Sequence, residues 1–238
     1  PWKNYVVVGT TDTQIKNASE EPKPLKEEID FILNNASKYM TIKPNKSDIK
    51  SVFAGLRPLA ATNDKKSTKE VSRSHKIDIS PSGLISVLGG KWTTYRKISE
   101  DAIDTAISIN KLKKKKCKTE KTKLFGYKKK VDFSDPMHVY GSLKKTVKSL
   151  GGIDDNNSLS TKFYISNNII EWSIIHEMAI TLEDILARRT RCVFLDSNES
   201  KLIAPDVAKK MADVLEKDQE WIDTELKKFN KLIKNYTV

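Results

Sequence analysis

The chain has 238 residues, 38% apolar and 31% charged, with a formal net charge of +12. That length supports one large domain or two modest ones, each with its own core. No run of 18 uninterrupted apolar residues marks a membrane-spanning helix, and two cysteines far apart in sequence exclude a disulfide framework.

The positive charge is localised. Residues 111–130, "KLKKKKCKTEKTKLFGYKKK", hold eleven lysines and one glutamate, which leaves about +2 for the rest of the chain. Such a run attracts phosphate backbones or anionic lipid without sequence preference. It has few aromatics to stack on bases, so specific nucleic-acid recognition is not expected. Its ordinary role is a solvated linker. Cys117 and Cys192 suit a reducing compartment, and His75, His138 and His176 form no metal-ligand pattern.

The opening "PWKNYVVVGTTD" lacks the basic, apolar and small-residue succession of a signal peptide. Without an initiator Met, and starting on a strand-like run, the chain reads as a piece of something longer. Tyr5–Val8 reads as a buried strand that runs into "GTTDT". A helix is predicted after Pro22 and Pro24, because Leu25, Ile29, Ile32, Leu33, Ala36 and Met40 recur at helical spacing. "DIKSVFAGLRPLA" reads as a strand stopped by Gly55 and Pro58, and 62–70 as a polar surface loop. "KIDI" and "GLISVL" flank "SPSG", the pattern of a hairpin. A helix then starts near Thr93, with Ile98, Ala102, Thr105, Ala106 and Ile109 on one face.

Beyond the lysine run, helical periodicity dominates. "DPMHVYGSLKKTVKSL" opens a helix with Asp135 as its cap, and "IIEWSIIHEMA" reads as a second, apolar helix in preference to a buried extended run. In "TLED", Thr181 and Asp184 form a capping-box arrangement ahead of "ILARRTR". "APDVAKKMADVLEKD" and "EWIDTELKKFNKLIKNY" are amphipathic helices. The expected fold class is α+β: a mixed strand and helix region over 1–110, a lysine-rich linker over 111–130 and an all-α domain over 131–238.

The stretch "VLGGKWTTYR" joins a strand ending to a helix start. Gly89 and Gly90 lack side chains, so a ligand can approach their backbone closely. The helix presents free N–H groups and its positive dipole end there, and Lys91 adds a full charge. Such a place favours an electron-rich acceptor, although a pair of glycines also serves an ordinary turn. Arg57 before Pro58, Arg73 before the hairpin, and Lys91 would together suit a phosphate through forked, charge-assisted hydrogen bonds, or else form separate surface ion pairs.

Five motifs in this order, "GTTDT", "FAGLRPL", "SR" before a hairpin, "GGKWTTYR" and "LEDILARRTR", carry a resemblance. The chain resembles the C-terminal portion of the FAD-dependent glycerol-3-phosphate dehydrogenases. Trp92 stands where the usual family wording has Leu. The resemblance implies oxidation of sn-glycerol 3-phosphate to dihydroxyacetone phosphate, hydride transfer to FAD, and electrons passed to quinone. It implies a region over 1–110 that caps the substrate and returns the chain to the flavin domain. It implies substrate-binding roles for Arg57, Arg73, Lys91, Thr11 and Asp12. Gly89, Gly90, Lys91, Trp92, Thr93 and Thr94 would lie along the flavin. Glu177, Asp184, Arg188 and Arg189 would be structural ion pairs or inter-domain contacts, not catalysts.

No G-x-G-x-x-G turn occurs in these 238 residues, and the family's proposed catalytic histidine belongs to a region they lack. The catalytic base is therefore unassigned, His75 is not marked as one, and the chain by itself is expected not to hold FAD tightly or turn over. The resemblance further implies a cytoplasmic protein bound peripherally to the inner face of the cell membrane, an anionic surface as one partner, and room for a homodimer. A basic module that contacts nucleic acid or anionic lipid through 111–130 is the alternative.

Overall fold

A computed structural model describes residues 1–57, 75–150 and 157–238. The described chain is α+β, as its pattern predicts. In chain order it holds α1 (Lys26–Ala36), β1 (His75–Ile79), β2 (Ile85–Gly89), α2 (Tyr95–Ile109), α3 (Lys144–Lys148), α4 (Asn167–Glu177), α5 (Cys192–Leu195), α6 (Ser197–Leu215) and α7 (Gln219–Leu232). Two compact units form. One comprises Pro1–Thr11, Ser19–Ala54 and Phe125–Val238; the other comprises Asp12–Ala18 and Gly55–Leu124.

The first unit is built around helices. α1 follows Pro24, and the Glu28 carboxylate accepts from the Leu25 amide at 2.8 Å, which satisfies an N–H left free at the helix start. Asp196 caps α6 by accepting from the Glu199 amide at 2.9 Å, and Asp218 caps α7 by accepting from the Trp221 amide at 2.9 Å. Thr181 and Asp184 form the expected reciprocal box: the Thr181 amide donates to Asp184 at 3.0 Å, and the Asp184 amide donates to the Thr181 hydroxyl at 3.1 Å. The π-helical turn Asp184–Arg189 follows and buries Ile185, Leu186 and Ala187 in succession.

α4 is apolar on more than one side because it is packed on two. Ile170 enters the main core with Leu182, Leu186, Val193, Val207 and Met211. Ile169 and Trp172 enter a second cluster with Met137 and Val147 of α3. Arg188 pairs outward with Glu183 and Asp184, at 2.6 and 3.0 Å. The Arg189 Nε donates to the Glu177 carbonyl at 2.9 Å, and its guanidinium lies 3.9 Å from the Glu177 carboxylate. These four residues are structural contacts of the helical unit, as the resemblance implies.

Several expectations need correction. Val6, Val7 and Val8 are exposed by 70%, 50% and 49%, and Tyr5 forms only an isolated bridge to Trp2. A buried strand needs a neighbour to pair its backbone, and among the described residues the sheet has two strands, both in the hairpin. Asp48 closes a 3₁₀ turn and residues 49–57 likewise join no sheet; the Val52 amide donates to the Tyr236 carbonyl at 3.0 Å instead. The helix expected after Asp135 starts only at Lys144. A 3₁₀ segment precedes it, in which Gly141 turns to φ 52° so that the Ser142 amide can reach the Gly126 carbonyl at 2.9 Å. α6 begins at Ser197 and carries Pro205 inside, where the pattern places a start near the proline. The polar loop read over 62–70 lies outside the described residues.

Both described cysteines are free thiols. Burial pushes the Cys192 thiol up to about 11, while Cys117 is only half-buried. A thiol reagent at pH 8 is expected to label Cys117 and spare Cys192 in the native protein, and to label both in denaturant. Native labelling of both, read by mass spectrometry of the peptides, would contradict the enclosure of Cys192.

Candidate functional site

The second unit contains the hairpin, the glycine turn and α2. β1 and β2 pair antiparallel across the Ser80–Leu84 turn, with Ile79 opposite Ile85 and His75 opposite Gly89. The chain then bends sharply: Gly89 and Gly90 have φ of 70° and 89°, left-handed values that strain any residue with a Cβ. Lys91 is extended, Trp92–Thr94 make one 3₁₀ turn, and α2 continues from Tyr95 for 15 residues. The Thr94 amide and hydroxyl both donate to the Lys91 carbonyl at 3.0 Å, which winds the turn into the helix.

Glycine at 90 also has a packing reason. A Cβ there would lie 2.6 Å from Ile98 Cδ1 and 3.3 Å from His75 Cβ. One face of the turn is therefore closed by the protein itself, whatever approaches the other. Gly90→Ala is expected to destabilise the protein by about 1–2 kcal/mol through the left-handed backbone alone, since the tip of Ile98 can shift. A urea midpoint equal to wild type would show that the turn can relax out of φ 89°.

The remaining turn residues are open. Lys91, Thr93 and Thr94 are exposed, and Lys91 makes no ion pair among the described residues. Trp92 is 84% exposed and stacks on Tyr95, with ring centroids 5.4 Å apart and an interplanar angle of 23°. Two left-handed glycines, an exposed helix opening and a lysine with no ion pair among the described residues give the turn an open face that favours negative charge.

The candidate substrate residues divide. Arg57 Nη1 forms an ion pair with Asp12 Oδ2, so the structure brings these two together across 45 residues of sequence. Thr11 belongs to the first unit, where its hydroxyl donates to Glu28 Oε1 at 2.9 Å. Arg73 lies outside the described residues.

Motif reading passed over one contact. His75 Nε2 lies 3.0 Å from Asp101 Oδ2, and Lys97 Nζ lies 2.8 Å from Asp101 Oδ1. The Lys97 hydrogen bond, with the His75 contact adding to it, holds the Asp101 carboxyl below the usual carboxylate range. Counting outward from "SPSG" would have placed His75 opposite Gly89; nothing local points from there to Asp101. On α2, Arg96 bonds Glu100 at 2.7 Å and reaches Thr119 Oγ1 at 3.2 Å, which ties the start of the lysine-rich segment to the helix.

Fold and turn together define a mainly helical α+β chain with an open, cationic strand-to-helix turn. Residues 86–222 match the model of the C-terminal domain of alpha-glycerophosphate oxidase, and the chain belongs to that family. A hamster (Mesocricetus auratus) glycerol-3-phosphate dehydrogenase, named mitochondrial, is 31% identical over 242 residues, covering 91% of this chain and 33% of the relative. A probable mitochondrial glycerol-3-phosphate dehydrogenase of Dictyostelium discoideum is 32% identical over 263 residues, covering all of this chain and 41% of the relative. The human mitochondrial enzyme of that name is 30% identical over 254 residues, covering 94% and 34%. The chain thus spans about a third to two-fifths of the length of these relatives.

One expectation is overturned by these names. A cytoplasmic protein at the inner face of the cell membrane is at odds with relatives that are named mitochondrial. Free thiols suit any reducing compartment, so cysteine usage could not separate the two.

Proposed function

We propose that this chain is part of a flavoenzyme that oxidises sn-glycerol 3-phosphate to dihydroxyacetone phosphate. The observation that carries the reading is the turn at Gly89–Thr94, exposed, left-handed at both glycines and bearing a cation without an ion pair among the described residues, inside the span that matches the family. Gly89, Gly90, Lys91, Trp92, Thr93 and Thr94 would hold the flavin, with the opening amides of the helix and Lys91 favouring negative charge at its pyrimidine end. Bound FAD would supply the two-electron acceptor for the secondary alcohol, with quinone taking the electrons onward. Arg57, with Arg73 and Lys91, would bind the phosphate, and Asp12 would line the substrate cavity. Asp12 would orient Arg57, whose remaining N–H groups stay available to an anion. These 238 residues alone would neither hold FAD tightly nor turn over, because no G-x-G-x-x-G turn for its ADP half is among them.

The test is anaerobic addition of glycerol 3-phosphate to the protein at its full natural length. Loss of the oxidised-flavin absorbance is expected. No loss with this substrate, but loss with an amine or amino acid, would assign a different flavoenzyme activity.

A second reading rests on the exposure of Lys113, Lys114, Lys115, Lys116 and Lys118, none of which forms an ion pair among the described residues. This segment would hold nucleic acid or anionic lipid non-specifically. Binding should fall steeply with salt and disappear when the lysines are replaced. Binding that survives their replacement would dismiss it.

A further inference from the structure

We propose that His75 and Asp101 form a clasp that sets the geometry of the glycine turn, and so act as positioning residues for the flavin. The inference rests on the flavin reading of that turn. Residues 90–94 are the covalent link between β2 and α2, and a link entered through left-handed Gly89, the end of β2, and left-handed Gly90 has few intrinsic restraints. The His75–Asp101 contact supplies a second link, from the partner strand β1 of the same hairpin to α2. His75 stands on β1 opposite Gly89, before the bend, and Asp101 lies on α2, after it.

The contact is well defined chemically. An ionised carboxylate can only accept, so the His75 Nε2 carries the hydrogen and donates at 3.0 Å. Lys97 Nζ occupies the other oxygen at 2.8 Å, so both oxygens of Asp101 are engaged and its rotamer is held from two sides. The pair is neither deeply buried nor free in solvent: the side chains of His75 and Asp101 are 22% and 30% exposed. Between the two arms lies Gly90, whose missing Cβ is replaced by contact with His75 on one side and Ile98 on the other. His75 and Ile98 therefore close one face of the bend, with His75 held by Asp101, while Lys91, Trp92 and Thr93 are exposed. A residue that locks the support of a binding turn changes affinity without touching the ligand. His75 is thereby engaged as a strut, which accounts for a histidine beside the turn without making it a base.

The test uses the protein at its full natural length, stripped of flavin and titrated with FAD by fluorescence quenching. H75A and D101A should each weaken FAD binding about tenfold, the effect of one lost charge-assisted hydrogen bond. The double variant should be no weaker than D101A alone, because D101A already removes the His75 bond together with the Lys97 pair. H75Q, which restores an N–H donor, should recover most of the affinity. Unchanged FAD affinity with a lowered melting temperature would leave the pair a purely structural one and overturn the proposal. Amide hydrogen exchange gives a readout without flavin: residues 90–95 should exchange about tenfold faster in H75A while 102–109 keep their wild-type rates. Equal rates at 90–95 would also overturn the clasp. A wild-type protein that binds no FAD would defeat the flavin reading instead, and exchange would still decide the clasp.

Discussion

On the proposed reading, Arg57→Ala in the protein at its full natural length is expected to raise the Michaelis constant for glycerol 3-phosphate by about two orders of magnitude, within roughly 2–4 kcal/mol of lost binding, while kcat changes little. A phosphate withdrawn from water needs a charged partner, and a guanidinium offers five N–H groups in a planar fork. In this chain the ion pair with Asp12 uses Nη1. Among the described residues that leaves other donors of the fork for an anion. Removing Arg57 does more than delete a cation, because the Asp12 carboxylate would then stand without its partner and repel the phosphate. Arg57→Lys should recover only part of the loss, since a single ammonium cannot pair with Asp12 and grip a phosphate in the same geometry. A constant close to wild type in the alanine variant would place Arg57 outside the substrate site and leave its pairing with Asp12 as surface structure.

Leu186→Ala should cost about 2–5 kcal/mol of folding stability, measured by urea unfolding with tryptophan fluorescence as the probe. Leu186 is fully enclosed, between buried Ile185 and buried Ala187 on a π-helical turn. The turn is held from outside by the Thr181–Asp184 box and the Arg188 pairs, so the backbone would stay in place and the site could not collapse around the missing atoms. The loss is thus the transfer term plus an unrelieved cavity. Arg188→Ala on the same turn is the matching control. Its pairs are half-exposed, and its removal should cost at most about 1 kcal/mol. If both substitutions proved equally mild, this turn would not be part of the core that holds the helical unit together.

Much of the architecture was legible in the residues. "SPSG" between two alternating runs placed the hairpin, and six apolar residues at helical spacing after Pro24 placed α1. Thr181 and Asp184 are close in sequence, so their capping chemistry could be read directly. The valines at 6–8 misled for a physical reason: apolar residues satisfy a strand pattern wherever they occur, but a strand forms only where another backbone pairs with it. Pro205 misled in a similar way. Proline marks a first helical turn by preference, and α6 carries it inside because the buried face from Ile203 to Met211 holds the helix around it.

The candidate site divides along the same line. Two adjacent glycines, a lysine and a helix start occupy consecutive positions, so the turn and its left-handed backbone follow from residues that touch their own neighbours in the chain. The pairing of Arg57 with Asp12 and of His75 with Asp101, the closure of Gly90 by Ile98, and the two-sided burial of α4 were decided only by the tertiary structure. Conformational preferences act over a few bonds and are written locally. Contacts between distant residues exist only once loops have closed and side chains have packed, and a one-dimensional pattern does not encode which of many compatible partners will meet.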